Sequence, residues 1–354
     1  MKVLVTGAAG FICGHLLPEL LDAGHEVIGL DNLSRYGAAR RPYDGHPGYR
    51  FVAGDVRDTE LLRGLAMEAD QVVAAAGLVG RSTSLHALAY DLLAENERIM
   101  GSTIDAAVDA YLDGHLERII VLSSTMVYES ATVFPTPEGA QLSSPPPTST
   151  FGFQKLASEY LALGAWEQYR LPYTILRPSS PVGVGERGAL SAALDGPRAK
   201  LATNHVVPDL VTKILSGQTP LRILGGGDQI RSFIAVRDLA RGIRRAMESP
   251  DAVNNDFNLC RGKGIAILEL ARKLWTKLRP DEEFSFVSDT PFLHDAPNRV
   301  PDVRKARDVL GFEATTPLDT MLDEVIAWIR GELAEVTASP ASASPASPSP
   351  ASQG

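Results

Sequence analysis

The chain has 354 residues, 44% hydrophobic and 22% charged, enough for one large folded domain or two coupled ones. A formal net charge of −9, with no basic cluster against it, argues against nucleic acid and anionic membrane as partners. Two cysteines, Cys13 and Cys260, are too few for a disulfide framework, and no Cys/His spacing reads as a metal site, so no metal is expected.

Met1-Lys2 leads straight into an apolar strand. There is no signal-peptide hydrophobic region, and no apolar run reaches the ~18 residues that span a membrane. The expected location is the cytoplasm. Arg40-Arg41 reads as a solvated loop.

Residues 3–5 form a short apolar run that ends in Thr6-Gly7, a buried parallel strand meeting a turn. Residues 11–23 have helical spacing, and Gly24 stops them. A second strand, 26–30, ends at Asp31. A third, at Phe51-Val52, ends at Asp55. A helix over 59–66 precedes a fourth strand at 71–75 and the small-residue turn Ala76-Gly77. A long helix covers 90–111, and the fully apolar 118–122 is a fifth strand. Residues 134–150, rich in Pro, Ser and Thr, read as an ordered loop or lid. A helix over 151–168 and a sixth strand at 173–176 follow.

Strand and helix alternate throughout this half. The expected fold class is therefore α/β: a Rossmann doubly wound parallel sheet joined by right-handed crossovers. After Arg177 the pieces shorten. Helices are predicted near 208–216, 236–247 and 268–278, strands near 221–224, 257–259 and 284–287, and a last helix from 318 to about 333. The division is a cofactor-binding domain at 1–177 and a smaller C-terminal α/β substrate domain at 178–335 that shares some elements with it. A disordered Ala/Ser/Pro tail is expected at 336–354.

Thr6-Gly7-Ala8-Ala9-Gly10-Phe11-Ile12-Cys13-Gly14 sits between the first strand and the first helix. Gly7 permits a tight turn and Gly10 lets backbone approach a pyrophosphate. Phe11 and Ile12 open a helix whose N–H groups face that anion. Asp31 would accept bonds from both ribose hydroxyls and repel a 2′-phosphate, which favours NAD over NADP. Asp55, in Gly54-Asp55-Val56, would accept from the adenine amino group, and Ala76-Gly77 would let the chain pass close to the cofactor. Phe151 and Lys155 are four apart and share a helix face. A lysine below an aromatic ring would suit proton transfer if the ring carried a hydroxyl, and this ring carries none.

From Met1 to about Leu333 the chain resembles the extended short-chain dehydrogenase/reductases, the NAD-dependent nucleotide-sugar epimerase/dehydratase family. The resemblance is carried by the glycine turn, Asp31-Asn32-Leu33-Ser34, Gly54-Asp55-Val56, Ser123 to Tyr128, and Gly152 to Lys155. Leu176-Arg177-Pro178, the segment from Gly226 to Phe233, and Arg299 to Asp302 continue it. It implies that Asn32 and Val56 join the NAD site. Ser124 would bond the reacting sugar oxygen, and Lys155 would hold the nicotinamide ribose. It places Thr125, Ser180, His205 and Val206 at the substrate, with Arg231 and Arg299 gripping its diphosphate, a task suited to the guanidinium fork. It also implies a homodimer through the helices that start near Tyr90 and Phe151.

The departures narrow the expectation. Thr125 and Met126 stand where dehydratases and decarboxylases of the family place an acid, which leans towards a UDP-sugar 4-epimerase working through a 4-keto intermediate. A dehydratase, a decarboxylase, a shifted oxidoreductase and a silent NAD/nucleotide-sugar binder remain as alternatives. Cys13 replaces a glycine, Ala74 a histidine, Glu129 a glycine and Ser180 an asparagine. Phe151 stands at the position of the catalytic tyrosine. Glu129 is the favoured substitute base, and Tyr128 is expected to pack beneath the site.

Overall fold

A computed structural model describes residues 1–38, 40–79, 89–186, 205–290 and 296–338. The strands of its first half are β1 (Lys2–Thr6), β2 (Glu26–Asp31), β3 (Tyr49–Ala53), β4 (Gln71–Ala74), β5 (Arg118–Leu122) and β6 (Tyr173–Pro178). Later come β7 (Pro181–Val182), β8 (Leu221–Leu224), β9 (Ile230–Ser232), β10 (Ile234–Ala235), β11 (Asn255–Leu259), β12 (Gly264–Ala266), β13 (Phe286–Asp289) and β14 (Asn298–Arg299). Seven of them form one sheet in the order β11-β6-β5-β4-β1-β2-β3, and every neighbouring pair is parallel. β4 and β5 are buried along their whole length, as strands covered by helices on both faces must be.

The helices are α1 (Phe11–Asp22), α2 (Thr59–Ala66), α3 (Ala89–Leu112), α4 (Thr150–Tyr169), α5 (Val206–Leu215), α6 (Val236–Glu248), α7 (Ile267–Leu278), α8 (Arg304–Leu310) and α9 (Leu318–Ala338). α1 buries Cys13, Leu16, Leu17, Leu20 and Leu21, a one-sided stripe at helical spacing. That stripe meets Ile243 and Met247 of α6 on one face of the sheet. Leu62 of α2, Ile104 and Ala107 of α3 and Ala162 of α4 cover the other. The fold is the doubly wound Rossmann arrangement the alternation predicts. The chain steps from β1 outward to β3 and then returns to β4 on the other side of β1, so the strand order reverses between β1 and β4. Ligands of open α/β sheets bind outside the carboxyl ends of the strands at such a reversal.

A separate core gathers Val207 and Leu210 of α5, Leu270 and Trp275 of α7, and Leu322 and Val325 of α9 around β8 and β10. β11, expected with the smaller substrate-side pieces, pairs instead with β6 and closes the edge of the large sheet. Its sequence, Asn255 to Leu259, alternates too weakly to show where it docks. α8 and the small sheet β12-β9-β14 have no counterpart in the predicted elements. Pieces of two to seven residues carry too few apolar repeats to register a period. β3 is longer than its two predicted residues because it is a largely exposed edge strand.

α9 runs to Ala338, so residues 336–338, assigned to the disordered tail, continue a helix. The rest of that tail lies outside the described residues. The 134–150 segment is ordered, as expected. Thr136 N–H donates to Val300 O at 2.9 Å and Thr136 O accepts from Asp302 N–H at 2.8 Å, tying this loop to the strand that carries Arg299.

Candidate active site

The glycine turn is built by two requirements. Gly7 has φ +71, a conformation that glycine adopts without strain. A Cβ there would also stand 2.9 Å from Ala76 Cα. Thr6 closes the crevice from the side: its Oγ1 accepts from Ala75 N–H and Ala76 N–H at 3.1 Å each and donates to Val73 O. The ends of β1 and β4 are thereby locked together. Gly10 is the N-cap of α1 with no side-chain cap, and the first turn holds no acid. The N–H groups of Phe11 and Ile12 therefore keep their capacity for an anion.

Asp31, at the end of β2, accepts from Ala9 N–H at 3.0 Å and Leu33 N–H at 2.7 Å, so its carboxylate is aimed along the turn. Asn32 donates to Asp55 Oδ2 at 3.0 Å. Asp55 also accepts from Nε and Nη2 of Arg57 at 2.9 and 2.6 Å, and these bonds hold its carboxyl well below the usual carboxylate range. Val56 is buried, its carbonyl accepting from Ser102 Oγ at 2.7 Å. Gly77 lies against Asn96, whose amide bonds both N–H and C=O of Leu78. Arg41 is no solvated loop residue. Its Nη2 donates to Ala9 O at 2.6 Å, folding the guanidinium over the glycine turn. Arg35 is engaged with Val79 O at 3.3 Å and with the Tyr36 ring.

The second half of the site is the 3-10 turn Thr125–Tyr128 and the start of α4. Ser124 caps the turn by accepting from Met126 N–H. Ser149 caps α4 by accepting from Gly152 N–H at 3.0 Å, a strong helix-start signal. A Cβ on Gly152 would meet Met126 O at 2.8 Å, so glycine is what lets the helix rest on the 3-10 turn. Lys155 Nζ donates to Leu122 O at 2.8 Å. Burial pulls its ammonium down to about 8, with Glu159 acting the other way. Phe151 is half-buried one turn before it.

Glu129 is buried; its Oε2 accepts from Ser149 N–H at 2.9 Å, which ties the 3-10 turn to the cap of α4. Its Oε1 is buried with no hydrogen-bond partner among the described residues. Thr125 is buried. Tyr128, as expected, packs beneath: its hydroxyl donates to Asn258 Oδ1 at 3.0 Å and accepts from Arg177 Nη1 at 2.8 Å. Arg177 also grips Glu159 with two bonds of 2.7 Å, and Glu159 accepts from Ser123 Oγ. Nothing in residue spacing announces this pair, because Glu159 sits on a helix face whose hydroxyl and guanidinium partners come from other strands.

In the small sheet, β9 and β14 are paired so that Arg231 and Arg299 are register partners. Arg231 is buried and donates to Ile230 O at 2.8 Å. Arg299 reaches Met126 Sδ in the 3-10 turn. Ser180 has φ +39, a left-handed conformation that an asparagine would accept more readily. His205 precedes Val206, the half-buried first residue of α5. Its Nδ1 and its backbone N–H both bond Glu186 Oε1, the latter at 2.8 Å. Glu186, which sequence reasoning passed over, raises the His205 pKa through its charge.

The family model for NAD dependent epimerases and dehydratases matches residues 3–260. The chain belongs to the NAD dependent epimerase/dehydratase family. It is 29% identical over 349 residues to a UDP-glucose 4-epimerase of Halalkalibacterium halodurans, covering 93% of this chain and 95% of that one. It is 27% identical over 337 residues to UDP-glucuronic acid decarboxylase 1 of Xenopus tropicalis, covering 94% and 73%. Among solved structures it is similar to a double mutant of dTDP-glucose 4,6-dehydratase from Streptomyces venezuelae with NAD bound, at TM-score 0.80 and 26% identity over 95% of this chain and 98% of that one.

In this epimerase/dehydratase family member the cofactor is NAD, and the crevice fits it. The glycine cradle has no room for a Cβ, the helix terminus is uncapped, and an acid closes β2. Gly7, Gly10, Phe11 and Ile12 would hold the pyrophosphate, Asp31 and Asn32 a ribose, and Asp55 and Val56 the adenine end. Ala76, Gly77 and Lys155 would flank the nicotinamide side. Both cysteines are buried, which pushes each thiol up to about 12. Among the described residues no His/Cys/Asp/Glu cluster could hold a metal. No described helix is long and apolar enough to cross a membrane.

Proposed function

We propose that the chain is a UDP-sugar 4-epimerase working through a 4-keto intermediate. The observation that carries this reading is the register pairing of Arg231 with Arg299, beside a catalytic turn that Arg299 touches. Two guanidinium forks on neighbouring strands suit a diphosphate. The nucleotide sugar would then lie with its hexose over Ser124. NAD, when bound, supplies the hydride acceptor and donor. Ser124 Oγ would bond the sugar oxygen that becomes the ketone. Lys155 would hold the nicotinamide ribose, and its charge would favour loss of the hydroxyl proton. Thr125, Ser180, His205 and Val206 would line the sugar and nucleotide. Residues 1–177, with α6 and β11, would hold the cofactor, and the remainder to 335 the substrate.

Epimerisation is favoured over dehydration and decarboxylation because Thr125 and Met126 supply no second acid. Offering the purified chain UDP-glucose and UDP-glucuronate separates these readings. C4 inversion of either marks an epimerase, and loss of CO2 from the uronate marks a decarboxylase. The silent-binder reading draws on Phe151 and requires binding with no turnover.

The chain would work as a homodimer in the cytoplasm, where its thiols stay reduced. Tyr90 is 77% exposed at the start of α3, and Tyr160 is 57% exposed on α4. Rings so open on two adjoining helices are suited to a partner face. Light scattering is expected to give twice the chain mass, and Tyr160→Glu to give the monomer. A monomeric wild type sinks the dimer.

A further inference from the structure

We propose that Lys155, as the neutral amine, takes the substrate hydroxyl proton and gives it back, the task for which Phe151 has no hydroxyl. The proposal rests on the epimerase reading above.

The fold puts this amine beside the reacting oxygen's serine. Lys155 stands one helical turn after Phe151, on the same face of α4. Its Nζ donates to Leu122 O at 2.8 Å. Leu122 is the last residue of β5, two residues before Ser124. The amine and that serine thus share the carboxyl end of one strand. A Cβ on Gly152 would stand 2.8 Å from Met126 O, so α4 rests against the turn that Ser124 caps.

Lys155 has no counter-ion. Among the described residues its only hydrogen bond is to Leu122 O, and no carboxylate pairs with it. Glu159, one turn further along α4, is engaged elsewhere: both its oxygens accept from Arg177 at 2.7 Å, and one accepts from Ser123 Oγ. The elements packed against α4 bring Glu97 of α3, Arg118 of β5, Arg177 of β6, and Tyr128 and Glu129 of the turn. Among the described residues Glu159 is the one charge that acts on the ammonium, and burial outweighs it, bringing the group down to about 8. A buried lysine shifted in this way is the kind that serves as a general base.

The neutral amine also has the groups the task requires. One N–H stays on Leu122 O, the second is left for the nicotinamide ribose, and the lone pair is left for the sugar hydroxyl proton. Glu129 is the rival base. Its Oε2 accepts from Ser149 N–H at 2.9 Å, and its Oε1 has no partner among the described residues but is closed off from solvent. A base for a sugar hydroxyl has to be open to the sugar. Half-buried Lys155 meets that need better than Glu129, which is 8% exposed.

The step balances without a further reactant. The proton of the C4 hydroxyl passes to the Lys155 lone pair, making an ammonium. The C4 hydrogen leaves with its electron pair to the nicotinamide, and the C4–O bond becomes a carbonyl. The ammonium returns the proton when the opposite face of the ketone is reduced.

The test uses full-length wild type, Lys155→Arg, Lys155→Ala, Glu129→Gln and the double variant Lys155→Arg/Phe151→Tyr. Each is saturated with NAD and given UDP-glucose or UDP-glucuronate, whichever the wild type inverts. Arginine keeps the charge but is not deprotonated in a protein. Lys155→Arg is therefore expected to lower kcat about 10²–10⁴-fold, the usual effect of losing a general base. Its NAD affinity by calorimetry should stay within about threefold. Adding Phe151→Tyr should return turnover, because the phenol then supplies the base. Because the base must be neutral, wild-type kcat rises with pH and levels off above about 8. Added primary amines should restart Lys155→Ala at rates that follow the free amine and rise with pH. Rates that follow the ammonium and fall with pH mark a lysine needed only for its charge, and overturn the proposal. So does a Lys155→Arg enzyme as fast as wild type, a double variant that stays inert, or a loss of kcat in Glu129→Gln alone. All of these leave the epimerase reading standing. A wild type that inverts neither sugar overturns both.

Discussion

Replacing Glu159 by alanine is expected to cost about 3–5 kcal/mol of stability, the usual result of stripping one partner from a buried ion pair. Glu159 and Arg177 are 2% and 1% exposed, so neither charge has water to fall back on. Without the carboxylate, the guanidinium would keep only Tyr128 and Asp256 as partners. The Ser123 hydroxyl, which donates to Glu159, would also be orphaned one residue before Ser124. The damage should therefore reach the Thr125–Tyr128 turn as well as the fold. Urea unfolding of wild type and Glu159→Ala measures it as a lower midpoint at unchanged slope. A loss below about 1 kcal/mol would mean that the pair is replaceable by relaxation or water. Replacing Glu159 and Arg177 together by apolar residues should cost less than Glu159→Ala alone, because no uncompensated charge is left behind.

Arg231→Met is expected to weaken UDP-glucose binding by about 2–5 kcal/mol, the cost of truncating one side of a buried charged hydrogen bond. This corresponds to a drop in affinity of about thirtyfold or more. NAD binding should be unchanged, since β9 belongs to the small sheet and not to the cofactor crevice. Arg231→Lys should recover only part of the loss, because it keeps the charge and gives up the planar fork. Calorimetric titration of each variant with UDP-glucose, and separately with NAD, measures both. Equal affinities for UDP-glucose in wild type and Arg231→Met would remove the diphosphate from this position.

The large sheet was legible because its strands are short apolar runs with turn residues at their carboxyl ends. β1 with its glycine turn and β5 with Ser123-Ser124 are clear cases. Residues fixed by local chemistry were legible too: Gly7 by its turn, Asp31 by its place at the end of β2, Lys155 by its helix spacing. What escaped depends on contacts far apart in the chain. Arg231 and Arg299 could be named singly, but only the pairing of β9 with β14 makes them neighbours. Glu186 carries no local signal, and its bonds to His205 appear only once the chain is folded. The Arg177–Glu159 grip and the fold of Arg41 over the glycine turn need the sheet to exist before they can form. Helix α8 and strand β11 were missed or misplaced because short, partly polar segments take their position from tertiary pairing rather than from periodicity.

The most direct measurement is a proton NMR time course of UDP-glucose with purified wild-type chain and NAD. Growth of the C4 epimer, UDP-galactose, to equilibrium with no net consumption of NAD is the result expected of a UDP-sugar 4-epimerase. A wild-type sample that binds both ligands yet shows no inversion at any pH, while Phe151→Tyr does, would contradict it. The chain would then be a binding protein on an epimerase fold.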